Sequence, residues 1–167
     1  MSQHATTAPP FRITRAAAND LADVSALFHA YAATLPVDLN AQRFIEEVAD
    51  LPGAYGAPAG ALLIARGDDG GALGCVALRR LDDAACEMKR LYVDPAARSS
   101  GLGRALVEAI IERGRRLGYR EIKLDTLPHM QSALALYRRL GFKQIAPYGN
   151  HPYPGLICLG RLLDIEG

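Results

Sequence analysis

The chain has little of several things that usually announce a function. Over 167 residues its formal net charge is only +1. A protein that lives on nucleic-acid phosphates shows a clear basic excess, so nucleic acid is not the expected partner, and nothing in the balance favours an anionic membrane surface. Cysteine is scarce, with only Cys75, Cys86 and Cys158, and no CxxC pair. An odd number among apolar neighbours reads as buried free thiols in a reducing cytoplasm. The four histidines, His4, His29, His129 and His151, form no HxH, HExxH or Cys/His cluster, so no metal site is expected. No apolar run approaches the roughly 18 residues of a membrane span. The opening MSQHATTAPP lacks a basic region followed by an apolar core, so residues 1–10 read as a flexible tail and not a secretory signal. Internal repeats, low-complexity tracts and linkers are also missing. One domain over residues 11–163 is the expectation.

What is present is an ordinary globular balance, half apolar and 22% charged. FRITRA (11–16) reads as a strand. Asn19 or Asp20 caps a helix whose stripe is Leu21, Val24, Leu27, Phe28 and Tyr31. LNAQRFIEEVADL (39–51) reads as a second helix, ended by Pro52-Gly53. Two strands, GALLIAR and GALGCVALRRL, flank the hairpin signal GDDGG, and ACEMKRLYVDP is a third, ended by Pro95. A helix with apolar residues at Leu102, Ala105, Leu106, Ala109, Ile110 and Leu117 follows, then the strand YREIKLDT and the helix QSALALYRRLGF. FKQIAPY and GLICLGRLL close the chain as strands. Hairpins followed by a strand–helix–strand crossover predict an α/β (α+β) domain. Its central sheet is mixed and mostly antiparallel, with about seven strands flanked by about four helices.

One stretch raises a chemical question. RSSGLGRALVEAIIERGRRLGY, Arg98 to Tyr119, strips side chains away just where a helix begins. The first turn of a helix has unpaired N–H groups and a partial positive charge, and a phosphate fits there when the chain in front carries no bulk. Two common phosphate motifs fail. The P-loop needs Gly-Lys-Ser/Thr, and here Arg104-Ala105 follows Gly103; the dinucleotide fingerprint needs a third glycine, and Leu106 stands there.

A longer pattern does match. LYVDPAARSSGLGRAL, followed about thirty residues later by ALALYRRLGF, resembles the GNAT superfamily of acyl-CoA-dependent N-acetyltransferases. The likeness covers nearly the whole chain and is strongest from Glu87 to Phe142. CEMKRLYV, LDTLPHM and ALYRRLGF together look like one group of small bacterial members with undefined substrates. The resemblance implies a cytoplasmic enzyme that uses acetyl-CoA and moves its acetyl group to the amine of a small-molecule acceptor by direct attack. It leaves a homodimer open. A non-catalytic acyl-CoA sensor on the same fold is the alternative.

Carried over residue by residue, the likeness implies that Leu91, Tyr92 and Val93 pair with the pantetheine arm as an extra strand would. It implies that Arg98, Ser99, Ser100, Gly101, Leu102, Gly103 and Arg104 hold the pyrophosphate through backbone amides. Tyr137 matches the tyrosine that protonates the leaving thiolate. Glu87, six residues before Val93, matches the base glutamate of one branch; strand alternation would put it on one face with Lys89, Leu91 and Val93. Pairing with Lys89 or Arg90 is its plainer role. Asp125, twelve residues before Tyr137, matches the base position of another branch, and a strand-end turn is its plainer role. The base assignment stays open between the two. Many members have an asparagine seven residues before the tyrosine; here Met130 stands there, between His129 and Gln131. Tyr148, Asn150, His151 and Tyr153, in a loop between the last two strands, are expected to line the acceptor pocket.

Overall fold

Alternation and helical spacing translate into elements in the expected order. In the computed structural model, which describes residues 10–39, 43–149 and 155–164, the strands are β1 (Phe11–Arg15), β2 (Ala61–Gly67), β3 (Ala72–Arg80), β4 (Ala85–Val93), β5 (Glu121–Thr126), β6 (Lys143–Gln144) and β7 (Ile157–Leu162). The helices are α1 (Leu21–Ala33), α2 (Phe44–Ala49), α3 (Leu102–Arg116) and α4 (Gln131–Arg139). The expected tail, residues 1–10, falls almost wholly outside the described residues.

Two elements are shorter than the sequence suggests. α2 begins only at Phe44, because Arg43 before it sits at φ 59°, a left-handed conformation that interrupts a helix. β6 stops after Gln144; one further bond runs from the Ile145 N–H to the Cys158 carbonyl, and Pro147 has no N–H with which to continue the ladder.

The strands form one seven-stranded sheet in the order β1-β2-β3-β4-β5-β7-β6. Every neighbouring pair is antiparallel except β4–β5, which is parallel. A parallel pair needs a crossover, and α3 provides it. Its buried stripe, Leu102, Leu106, Val107, Ile110 and Ile111, packs with Leu78, Met88, Ile122, Leu124 and Leu134 on one face of the sheet. Each such side chain contributes about 1.5–3 kcal/mol by leaving water. On the other face Val24, Leu27 and Phe28 of α1 and Phe44 of α2 pack on Leu62, Ile64, Cys75 and Ala77. The sheet is therefore covered on both sides.

One irregularity sets the geometry of everything that follows. The β3–β4 register runs Ala77↔Lys89 and then Cys75↔Tyr92, so Val76 alone faces both Arg90 and Leu91. This is a β-bulge, and Arg90 takes it at φ 62°. An extra residue reverses which side the later side chains face. Leu91 and Val93 therefore join Met88 on the α3 side, while Tyr92 packs on the α1 side. The expectation that Glu87, Lys89, Leu91 and Val93 share one face is thus corrected, because simple alternation ends at the bulge.

Candidate active site

The parallel pairing of β4 and β5 is brief. It covers Ala85↔Glu121, Cys86↔Ile122 and Glu87↔Lys123, and then stops. β4 runs on to Val93 against β3, and β5 runs on to Thr126 against β7. Beyond Glu87 the two strands part, and among the described residues the edge of β4 from Met88 onward, Leu91–Val93 included, has no strand partner on that side. A cleft occupies the gap, lined by Met88, Lys89, Arg90 and Leu91 from β4 and by Leu124, Asp125 and Thr126 from β5. Tyr137 of α4 and Met130 reach it from one face; Tyr31 of α1 and the following Leu35, Val37 and Leu39 reach it from the other.

The loop between β4 and α3 is pre-shaped. The Asp94 carboxylate accepts the Ala96 N–H at 2.9 Å and starts a short 3-10 turn, Pro95–Ala97. Ser99 (φ 67°) and Gly101 (φ 85°) then take left-handed conformations. Among the described residues, the amides of Ser99, Gly101, Leu102, Gly103 and Arg104 find no acceptor, whereas the Ser100 N–H bonds the Ala97 carbonyl at 3.3 Å. Alternating hands of this kind turn successive N–H groups toward one point and make an anion nest. A Cβ on Gly103 would meet nothing nearer than 3.8 Å, from Leu136 and Val93. The protein's own packing therefore does not require glycine there, whereas a ligand approaching the backbone would. These features fit a diphosphate, with the open edge of β4 leading away from it.

Tyr137 is buried, stands edge-on to Phe142 at 5.8 Å and lines the cleft. Its hydroxyl makes no hydrogen bond to a described side chain or carbonyl. Burial pushes its pKa up, with a smaller contribution from the nearby Tyr31. A phenol in that state keeps its proton at neutral pH and can donate it. Asp125 lies on β5 between Leu124 and Thr126, which face α3, so its carboxylate faces the α1 side and lines the cleft.

Glu87 is placed differently. It is 2% exposed and does not line the cleft. Its carboxylate accepts Arg79 Nε at 2.7 Å and the Tyr148 hydroxyl at 2.6 Å, and Lys89 Nζ lies 4.0 Å away. Burial raises its pKa, but Lys89, Arg79 and the two donated hydrogen bonds outweigh that and hold it below the ordinary value of 4.5. Its nearest partner is Arg79, directly opposite on β3, with the expected Lys89 as a second, longer ion pair, while Arg90 is not a partner. Lys89 in turn is pushed down by burial, with Glu87 opposing the shift.

Arg90 turns away to α2. Its Nε and Nη2 donate to the two Glu47 oxygens at 2.9 and 3.1 Å, and its guanidinium lies 5.4 Å from the Phe44 ring and 5.9 Å from Tyr31. Met130, in place of an asparagine, accepts a hydrogen bond at Sδ from Thr126 Oγ1 at 3.6 Å. Of the expected acceptor-pocket residues only Tyr148 is described; its ring also covers Lys123 Nζ at 5.2 Å. Asn150, His151 and Tyr153 lie outside the described residues. Sequence reasoning missed Tyr31, Arg79, Arg90 and Glu47. Tyr31 reads as one more member of an apolar helix stripe, and charges on a strand do not name partners forty residues away.

Comparisons with known proteins bear on the family and on the fold. The model of the acetyltransferase (GNAT) family matches residues 24–142. The chain is similar to an uncharacterized N-acetyltransferase of Schizosaccharomyces pombe, 41% identical over 141 residues, which are 84% of this chain and 86% of that one. Among solved structures, a GNAT-family acetyltransferase from Staphylococcus aureus covers 92% of this chain and 99% of its own, with a TM-score of 0.78 and 19% identity. A GNAT phosphinothricin acetyltransferase from Sinorhizobium meliloti, solved in complex with acetyl-CoA, covers 92% and 89%, with a TM-score of 0.66 and 21% identity.

Proposed function

This chain belongs to the GNAT family of acetyltransferases, and from that premise we propose that it acetylates the amine of a small molecule by direct attack, with both substrates bound at once. The observation that carries the reading is the gap where β4 and β5 part. Tyr137 borders it on one face of the sheet, Asp125 on the other, and the unpartnered amides stand at the end of β4.

Acetyl-CoA, when bound, supplies the acetyl group already activated as a thioester. The chain's own part is to hold and orient. The amides of Ser99 and Gly101–Arg104 bind the pyrophosphate, aided by Arg98, with Ser100 keeping the loop free of bulk. The open edge of Leu91, Tyr92 and Val93 aligns the pantetheine. Tyr137 gives its proton toward the leaving sulfur. Free phenol and thiol pKa values of about 10 and 8.5 make full transfer cost about 2 kcal/mol in water, so partial donation to a partly charged sulfur is the useful step.

The amine arrives from the α1 side. An alkylamine with a pKa near 10.4 needs about 4.6 kcal/mol to be neutral at pH 7, so a proton acceptor in the cleft helps. We assign that role to Asp125 ahead of Glu87. Asp125 lines the cleft where the amine would stand, whereas Glu87 does not and is buried against Arg79 and Tyr148. The role of Glu87 in this reading is to fix Arg79 and Tyr148 beside the acceptor. Leu35, Val37 and Leu39 give the cleft an apolar wall, and its charged lining is two cations, Lys89 and Arg90, against one carboxylate, Asp125, which suits a compact mono-amine better than a polycation.

The proposal takes residues 11–163 as the catalytic domain and the cytoplasm as its place. In support, the three cysteines are buried free thiols, and no described helix is long and apolar enough to cross a membrane. The test is release of free thiol from acetyl-CoA across amino acids, simple amines, polyamines, aminoglycosides and a lysine-rich peptide. A small mono-amine should give the highest kcat/KM. A preference of tenfold or more for aminoglycoside or peptide, about 1.4 kcal/mol of transition-state binding, overturns the acceptor assignment. Acetyl-CoA binding without turnover of any amine points to the non-catalytic sensor instead.

A further inference from the structure

Arg90 is an unusual residue for its position. The left-handed residue of a bulge is ordinarily glycine, because a side chain raises the cost of a positive φ. Here an arginine occupies φ 62° and is 4% exposed. Such a conformation persists only where the surroundings over-determine it, and such positions cluster at functional sites. The surroundings are specific. Both Glu47 oxygens accept from the guanidinium, Tyr55 donates its hydroxyl to Glu47 Oε1 at 2.9 Å, and the Phe44 and Tyr31 rings flank the charge. Glu47 and Phe44 belong to α2, which follows the chain segment that walls the acceptor side of the cleft.

The same residue therefore touches two things at once. Its backbone makes the bulge that turns Leu91 and Val93 toward α3 just beyond the point where β4 leaves β5. Its side chain ties that bulge to α2. We propose that Arg90 is a positioning residue: through Glu47 it locks the β4 bulge and the acceptor wall into one unit, so that the edge meant for acetyl-CoA and the pocket meant for the amine are set together. The proposal rests on the acetyl-CoA reading of the β4–β5 gap. A bidentate guanidinium fork suits the task, since lysine would keep the charge but not the fixed geometry. A core tie with no functional role would change stability alone.

The experiment compares the wild type with Arg90→Lys, Arg90→Gly and the double variant Glu47→Gln/Arg90→Gln. It measures the acetyl-CoA Kd by calorimetry, the KM for each substrate, kcat and the melting temperature. The double variant leaves no buried charge without its counter-charge, which is the condition under which removal of an ion pair is tolerated. Arg90→Gly takes up the left-handed conformation without cost. In both, the acetyl-CoA Kd and the amine KM should rise together, each about tenfold or more, while kcat at saturation changes less; Arg90→Lys should recover part of the loss, because it keeps the charge but not the fork. A folded double variant or Arg90→Gly with wild-type Kd and KM overturns the proposal. If both fail to fold, Arg90→Lys decides, and wild-type values there overturn it too. A wild type that binds no acetyl-CoA removes the proposed function and this inference with it. Normal wild-type binding with unmoved variants removes this inference alone.

Discussion

The two faces of the cleft are built on different principles. On the α3 side, the candidate anion site is made of consecutive main-chain amides in a loop whose glycines and small serines follow one another in sequence. On the α1 side, the chemistry is carried by side chains gathered from distant segments. Glu87 meets Arg79 and Tyr148, Arg90 meets Glu47 43 residues away, and Tyr31 comes from the first helix. The first kind of site depends on backbone access, so it needs the absence of bulk at Gly101 and Gly103 more than any particular side chain. The second depends on buried charge, where each partner leaves the other stranded if removed.

Several variants would break or sharpen that contrast. The largest effect is expected in the chemistry between the two faces. Tyr137→Phe should lower kcat by about 10²-fold or more, the usual worth of a positioned proton donor, with little change in acetyl-CoA affinity. A kcat within threefold of wild type would remove Tyr137 from the role of acid.

Next comes the proton acceptor. Asp125→Asn should depress the rate most near neutral pH, about 10²-fold, and recover as pH approaches the amine pKa. Glu87→Gln should leave the shape of the pH–rate profile unchanged. If the Glu87 variant is the one that recovers at high pH, the two carboxylates exchange roles.

Gly103→Val tests the main-chain side. The ligand-free melting temperature should stay close to wild type, since the nearest atoms to a new Cβ are 3.8 Å away. The rise in melting temperature that saturating acetyl-CoA gives by mass action should disappear. Arg104→Ala, by contrast, removes only an exposed pair with Glu108 at 2.8 Å and should shift acetyl-CoA affinity far less. Equal losses in the two would mean that side chains, not amides, hold the anion.

The smallest effects are stabilities on the α1 side. Tyr148→Phe removes a donor to the buried Glu87 carboxylate and should cost about 1.5–3 kcal/mol, read as a melting temperature roughly 3–12 °C lower. Glu87 also links stability to pH. Its pKa is lowered from 4.5 in the fold, so its contribution is complete above the unfolded value and is lost as pH falls through the folded one. The stability gap between wild type and Glu87→Gln should therefore be full above about pH 5 and shrink below about pH 4. A gap that is constant with pH would mean that Glu87 is not held as a carboxylate.

The sequence by itself determined the order of elements, the Leu102, Leu106 and Ile110 stripe of α3 and the glycine-bearing turn before it. These depend on residues close together along the chain: helical spacing, alternation, turn chemistry and the free amides of a helix start. It also determined that Tyr137 stands on the inner face of α4. The tertiary structure decided the rest. Arg90 entered the left-handed region because Glu47, Phe44 and Tyr31 were there to receive it, and that one residue reversed the faces of Leu91 and Val93. Glu87 took Arg79 as its nearest partner, beside the Lys89 that the sequence suggested, because the β3–β4 register put Glu87 and Arg79 opposite each other. Tyr31 became a wall of the cleft because β4 and β5 part beneath it. Each of these outcomes depends on which distant groups a buried charge or a strained backbone meets, and that is fixed only when the sheet and its two helical layers close.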